Sequence, residues 1–218
     1  YDKNVSRTKD RPLASNKIKT INAIVFLLVQ LLIGLLILVQ FNKLTIIIGS
    51  LALIPVFIYP LMKRVTWWPQ IFLGITFNWG ALLGWLSLSN DFSSIYPILL
   101  YLACIFWTVG YDTIYAHQDK DDDIVLNLKS SAIKLGENTK NALLIFYAIF
   151  FIIFAVILFS LSNSIIIHLA ILSLLIHLVF QIIYLDIDNS DRCLKIFKSN
   201  NLLGLQISFF LILELVIN

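Results

Sequence analysis

Thirteen consecutive residues hold the densest polar chemistry in the chain: Tyr111-Asp112-Thr113-Ile114-Tyr115-Ala116-His117-Gln118-Asp119-Lys120-Asp121-Asp122-Asp123. On a helix that turns about 100° per residue, offsets of seven and eleven bring Asp119 and Asp123 back to nearly the face of Asp112, while Asp121 and Asp122 point elsewhere. Carboxylates gathered this way beside a membrane repel one another, and a cation relieves the repulsion. Mg²⁺ suits the set, because it takes oxygen ligands and commonly binds through one or two carboxylates plus substrate phosphates. A solvated acidic loop is the simpler account of this run taken alone.

Two further segments change that weighting. The first, Tyr1 to Ser15, places Asp2 ahead of Arg7, Lys9 and Arg11, and the planar fork of arginine matches phosphate oxygens bidentately. A topogenic basic cluster explains those charges but not Asp2. The second is Tyr59-Pro60-Leu61-Met62-Lys63-Arg64. Proline kinks a helix and frees backbone groups, which is tolerated where the helix lines a cavity. Tyr59 can present its ring to a cation, and Lys63 or Arg64 can hold an anionic substrate. A kinked span followed by a topogenic Lys-Arg pair accounts for this segment equally well.

The elements that position these residues are transmembrane helices. The 218-residue chain is 59% hydrophobic and 13% charged, with a mean hydropathy of +0.88. Soluble domains carry about 25% charged residues, so a water-soluble globule and a nucleic-acid-binding protein are both excluded. A span of the roughly 30 Å hydrocarbon core needs about 20 apolar residues. Seven runs meet this, near 18–40, 44–61, 70–88, 96–115, 142–161, 165–185 and 202–217. They are continuously apolar rather than alternating, which excludes a membrane β-barrel. The expected fold is an all-α polytopic bundle in a lipid bilayer, formed as a single domain over residues 1–218.

Tracing the spans from an inside start leaves Lys43 alone outside and the other fifteen of the sixteen Lys and Arg inside. The positive-inside rule therefore orients the bundle, with its long charged loops facing the cytoplasm. Trp67 and Trp68 fall at a membrane boundary, as interface anchors do. Cys104 and Cys193 suggest neither a disulfide framework nor a zinc site. Asn78, His168, His177 and Glu214 lie in or near spans, and interhelical hydrogen bonding explains them as well as function does. The opening Tyr1-Asp2, without methionine, reads as a truncation.

The three polar segments together resemble the signature regions of the UbiA-type intramembrane prenyltransferases, most closely the bacterial members that act on 4-hydroxybenzoate in ubiquinone synthesis. Lys129-Ser130-Ser131-Ala132 and the run from Cys193 to Gly204 also fit that family, so the likeness spans essentially the whole chain. The family's first acidic motif begins upstream of Asp2, and its members typically have nine spans; the resemblance thus implies that two N-terminal helices and half of a metal site are missing and that the shortened chain is inactive. It implies transfer of a polyprenyl group from its diphosphate to the ring carbon ortho to the hydroxyl of 4-hydroxybenzoate. In that scheme Mg²⁺ is held by Asp2, Asp112, Asp119 and Asp123, while Arg7, Arg11 and Lys129 contact the diphosphate. Tyr59 faces the allylic cation, Lys63 serves the reaction, and Arg64 takes the acceptor carboxylate. The resemblance places the protein in the inner membrane of a bacterium. A related prenyltransferase of menaquinone or haem synthesis is the nearest alternative. A cation-coupled transporter is less favoured, because its acids would sit at the bilayer midplane.

Overall fold

Long apolar runs become helices here because a backbone in lipid must satisfy its own hydrogen bonds. The computed structural model describes residues 8–89 and 91–217, and these form helices joined by short turns, with no strand among them. Seven stretches are long and apolar enough to cross a membrane: Thr20–Leu38, Lys43–Val65, Pro69–Ser89, Tyr96–Val125, Ser131–Leu161, Ile165–Tyr184 and Ser190–Ile217. All seven expected spans are present, although four of these stretches are interrupted.

The first span is one helix, α1 (Thr20–Leu38). The second is broken into α2 (Lys43–Leu51), α3 (Leu53–Ile58), a 3₁₀ turn at Tyr59–Leu61 and α4 (Met62–Val65). Pro60 lies in that 3₁₀ turn, where its missing N–H costs nothing to an α-helical ladder. Asn42 caps α2 by accepting from Thr45 N–H at 2.9 Å, and its amide donates to the Leu86 carbonyl across the loop. The third span divides into α5 (Pro69–Phe77) and α6 (Gly80–Ser89). Asn78 occupies that break, and its Nδ2 donates to the Gly74 carbonyl, the Cys104 carbonyl and Thr108 Oγ1.

The fourth span runs through α7 (Tyr96–Ala116), a 3₁₀ turn at His117–Asp119 and α8 (Lys120–Val125). Next come α9 (Ser131–Leu135) and, after a turn at Gly136, α10 (Thr139–Leu161). Gly136 has φ +52°, a left-handed conformation that glycine adopts without the Cβ penalty. The last two helices are α11 (Ile165–Tyr184) and α12 (Ser190–Ile217).

The interior lies between α7, α10, α11 and α12. Ile114, Leu143, Tyr147, Phe150, Ile167, Leu174 and Leu203 are essentially inaccessible there. Trp107 stacks on Phe150 with centroids 5.3 Å apart and planes 7° from parallel. Gly110 lets α10 approach, since a Cβ there would stand 2.2 Å from the Tyr147 ring. Large apolar side chains cover the outside of the bundle, including most of α1, as suits helices that meet lipid rather than water.

The polar residues within the spans are largely structural. Tyr147 donates to Gln181 Oε1 at 2.6 Å, and Gln181 Nε2 and Trp107 Nε1 both donate to Asn200 Oδ1. His177 bonds Ser199, His168 bonds the Ser164 carbonyl on its own helix, and Ser164 donates to Glu214. Interhelical or local hydrogen bonding therefore accounts for Asn78, His168, His177 and Glu214.

Candidate active site

One end of the bundle holds a cavity of about 340 Å³ where the 8–17 turn, the broken second span and the acidic end of the fourth span meet. Its lining brings Arg11, Tyr59, Lys63, Arg64 and Gln70 together with Asp112, Tyr115, Asp119 and Asp123. Sequence positions separated by more than a hundred residues thus share one space.

The acidic wall is not a continuous α-helix. Asp112 is on α7, Asp119 ends the 3₁₀ turn, and Asp123 lies in α8. The tighter turn alters the register expected of an unbroken helix, yet all three carboxylates still border the cavity, while Asp121 and Asp122 do not. Asp119 and Asp123 are 6% and 1% exposed. Among the described residues, no group of three or more His, Cys, Asp or Glu is close enough to form a ready metal cage.

Asp123 carries its own counterion. Lys63 Nζ lies 3.0 Å from both carboxylate oxygens, and the Lys63 carbonyl accepts from Lys129 N–H at 2.8 Å. Lys63 therefore ties α4 to Asp123 through its side chain and to the loop after α8 through its backbone. The charge of an almost inaccessible carboxylate needs such a partner, because burial without one costs several kcal/mol, of order 3–5.

Lys129 stands apart from the expected substrate contacts. Its ammonium donates to the Val65 carbonyl at 3.1 Å and lies 5.8 Å from the centroid of the Trp67 ring, and it does not line the cavity. Asp2 and Arg7 lie outside the described residues. Trp67 is exposed, as an interface anchor would be, whereas Trp68 is half-buried and meets Phe146 edge-on at 6.2 Å.

Three polar lining residues were not singled out from sequence as site residues: Thr8, Gln70 and Tyr115. Thr8 is 4% exposed and Gln70 2% exposed. Tyr115 follows Asp112 by three residues, so helical spacing places it on the same face, and its ring packs 4.4 Å from that of Phe197 on α12. Gln70 had a signal as well, being a lone polar residue in the first turn of an apolar span behind Pro69.

Comparison with known proteins gives this site its setting. The profile of the UbiA prenyltransferase family matches residues 1–210. A 4-hydroxybenzoate polyprenyltransferase of Drosophila melanogaster, named as mitochondrial, is 47% identical over 94% of this chain and 52% of its own length. Its human counterpart is 41% identical over 98% of this chain and 57% of its own length. The chain spans about half the length of these curated relatives. Among solved structures, a UbiA homologue from Aeropyrum pernix superposes with a TM-score of 0.81 at 22% identity, over 98% of this chain and 80% of that one; this likeness establishes the fold.

The expected location in a bacterial inner membrane, with loops toward a bacterial cytoplasm, needs correction. The similar proteins from flies, mammals and Arabidopsis thaliana are mitochondrial proteins of eukaryotes. Apolar spans and one-sided basic loops report a membrane and an orientation within it, and they carry no signature of the organelle. With its profile match over nearly the entire length and an interior cavity where the signature segments converge, the chain belongs to the UbiA prenyltransferase family.

Proposed function

We propose that the protein transfers a polyprenyl group from polyprenyl diphosphate to the ring carbon ortho to the hydroxyl of 4-hydroxybenzoate. The observation that carries this reading is the convergence of Arg11, Lys63 and Arg64 with Asp112, Asp119 and Asp123 around one cavity at the end of a membrane bundle. Basic groups suit two anionic substrates, and the surrounding apolar helices suit the isoprenoid. The 4-hydroxybenzoate polyprenyltransferases among its relatives support the choice of acceptor.

The oxygen-only donor set of Asp112, Asp119 and Asp123 fits Mg²⁺, whose remaining positions are commonly filled by water and substrate phosphates rather than by a protein cage. When bound, the ion neutralises negative charge on the departing diphosphate. Arg11 can add charge-assisted hydrogen bonds to the same oxygens. Departure of diphosphate leaves an allylic cation, toward which Tyr59 and Tyr115 can present aromatic faces. The apolar helices exclude water that would otherwise quench that cation. Arg64 would hold the acceptor carboxylate through its planar fork, the ring carbon ortho to the hydroxyl then bonds to the allylic cation, and transfer of its proton to the released diphosphate restores aromaticity.

Membranes containing the full-length protein, supplied with radiolabelled 4-hydroxybenzoate, a polyprenyl diphosphate and Mg²⁺, should form a lipid-extractable product, and a chelator should stop its formation. Absence of product from folded protein overturns the reading. Arg64→Ala is expected to raise KM for 4-hydroxybenzoate about tenfold or more, as loss of a charged hydrogen bond does. An unchanged KM together with unchanged turnover removes the role given to Arg64.

A further inference from the structure

Gln70 is a polar side chain in a place where polarity needs a reason. It occupies the first turn of α5, is 2% exposed, and borders the cavity. Its Oε1 accepts the backbone N–H of Ser131 at 3.3 Å. A backbone N–H can only donate, so this contact fixes which end of the amide is oxygen. The Nε2 end is consequently turned away from Ser131, and among the described residues the bond to Ser131 is the one side-chain hydrogen bond of Gln70. A donor that borders a cavity without a protein acceptor is open to an acceptor bound there.

The neighbouring groups identify the class of acceptor. Arg11, Lys63 and Arg64 border the same cavity as Gln70, together with Asp112, Asp119 and Asp123, and the two substrates proposed for it both bring anionic oxygens. Resting on the proposed prenyl transfer, we propose that Gln70 is a substrate-binding residue whose Nε2 donates to an anionic oxygen, either of the acceptor carboxylate or of the diphosphate. Ser131 holds the amide in its donating orientation. Because Ser131 begins α9 and Ser130 caps that helix by accepting from Ile133 N–H, the segment after the acidic run presets the donor before substrate arrives.

Binding tests this separately from turnover. Thermal stabilisation of the purified protein would be titrated with 4-hydroxybenzoate alone and with inorganic diphosphate plus Mg²⁺ alone, for wild type, Gln70→Met and Gln70→Glu. The Gln70→Glu variant keeps an acceptor for Ser131 N–H, so it retains the structural contact while changing the cavity-facing donor. The expected result is a loss of about tenfold or more in apparent affinity for one of the two ligands and little change for the other. The affected ligand identifies which oxygen Gln70 holds. For Gln70→Glu the defect should deepen as pH rises and the introduced carboxyl ionises, a trend that a packing defect would not show. Affinities within twofold of wild type for both ligands, in whichever variant folds, overturn the proposal. A full-length wild-type protein that binds these ligands but yields no product overturns the prenyl-transfer reading instead.

Discussion

The two halves of the bundle are built differently. In the half formed by α7, α10, α11 and α12, long helices bury continuous stripes: α10 alone buries eight residues, from Thr139 to Leu158. In the half formed by α1 to α4, the helices are short or peripheral, and Thr45 is their only buried residue among those described. The cavity lies where these regions meet. Its acidic wall extends from the packed half, while Tyr59, Lys63 and Arg64 come from the broken span opposite. The contrast teaches a division of labour: rigid packing holds the carboxylates, and a segment with few buried contacts, of the kind that opens most readily, presents the basic groups.

The sharpest way to break this comparison is through the acidic wall. Asp119→Ala should lower product formation a hundredfold or more, since neutralisation of the leaving diphosphate supplies several kcal/mol, while the thermal midpoint in detergent stays nearly unchanged. An active variant would separate the packed half from the chemistry.

A packing substitution probes the scaffold directly. Phe150→Ala should destabilise by about 2–3 kcal/mol, somewhat less than the roughly 3–5 of a water-soluble core, because lipid rather than water solvates the reference state. Phe57→Ala on α3, where the ring is 72% exposed, should shift stability by less than about 0.5 kcal/mol. Equal losses in unfolding experiments would erase the proposed difference between the halves.

The seam itself is tested by the Lys63–Asp123 pair. Lys63→Met leaves a buried carboxylate uncompensated and should cost about 1–3 kcal/mol, discounted because the Lys63 side chain is 39% exposed. Adding Asp123→Asn should recover part of that loss. Additive losses in the double-mutant cycle would show that the pair does not couple the halves. The smallest effect belongs to Lys129→Ala, for which both Michaelis constants should remain within twofold of wild type, since its ammonium is engaged outside the cavity. A large rise in either KM would bring Lys129 back among the substrate contacts.

Much of this was legible in the residues. Seven spans follow from length and hydropathy, because lipid leaves the backbone few other options. Helical spacing anticipated that Asp112, Asp119 and Asp123 would share a surface, and Pro60 marked the break beside Tyr59. The interruption at Asn78 was less visible, since its justification is a set of acceptors on α5 and α7 that only folding brings within reach. Gln70 was hidden for the same reason: one polar residue in an apolar run acquires meaning from Ser131, sixty-one positions away.

The sequence by itself determined the all-helical membrane fold, the one-sided distribution of charge and the residue types able to handle anions and a divalent cation. These are properties of composition and short-range periodicity, set by the solvent and by helix geometry. Tertiary structure alone decided which charges share a space: it matched Lys63 to Asp123, drew Lys129 away to the Val65 carbonyl, and tied the Gln70 amide oxygen to Ser131 N–H. Those outcomes depend on the packing of distant segments at distances of about 3 Å, where the partner a polar group finds decides whether it stabilises the fold or remains available to a ligand.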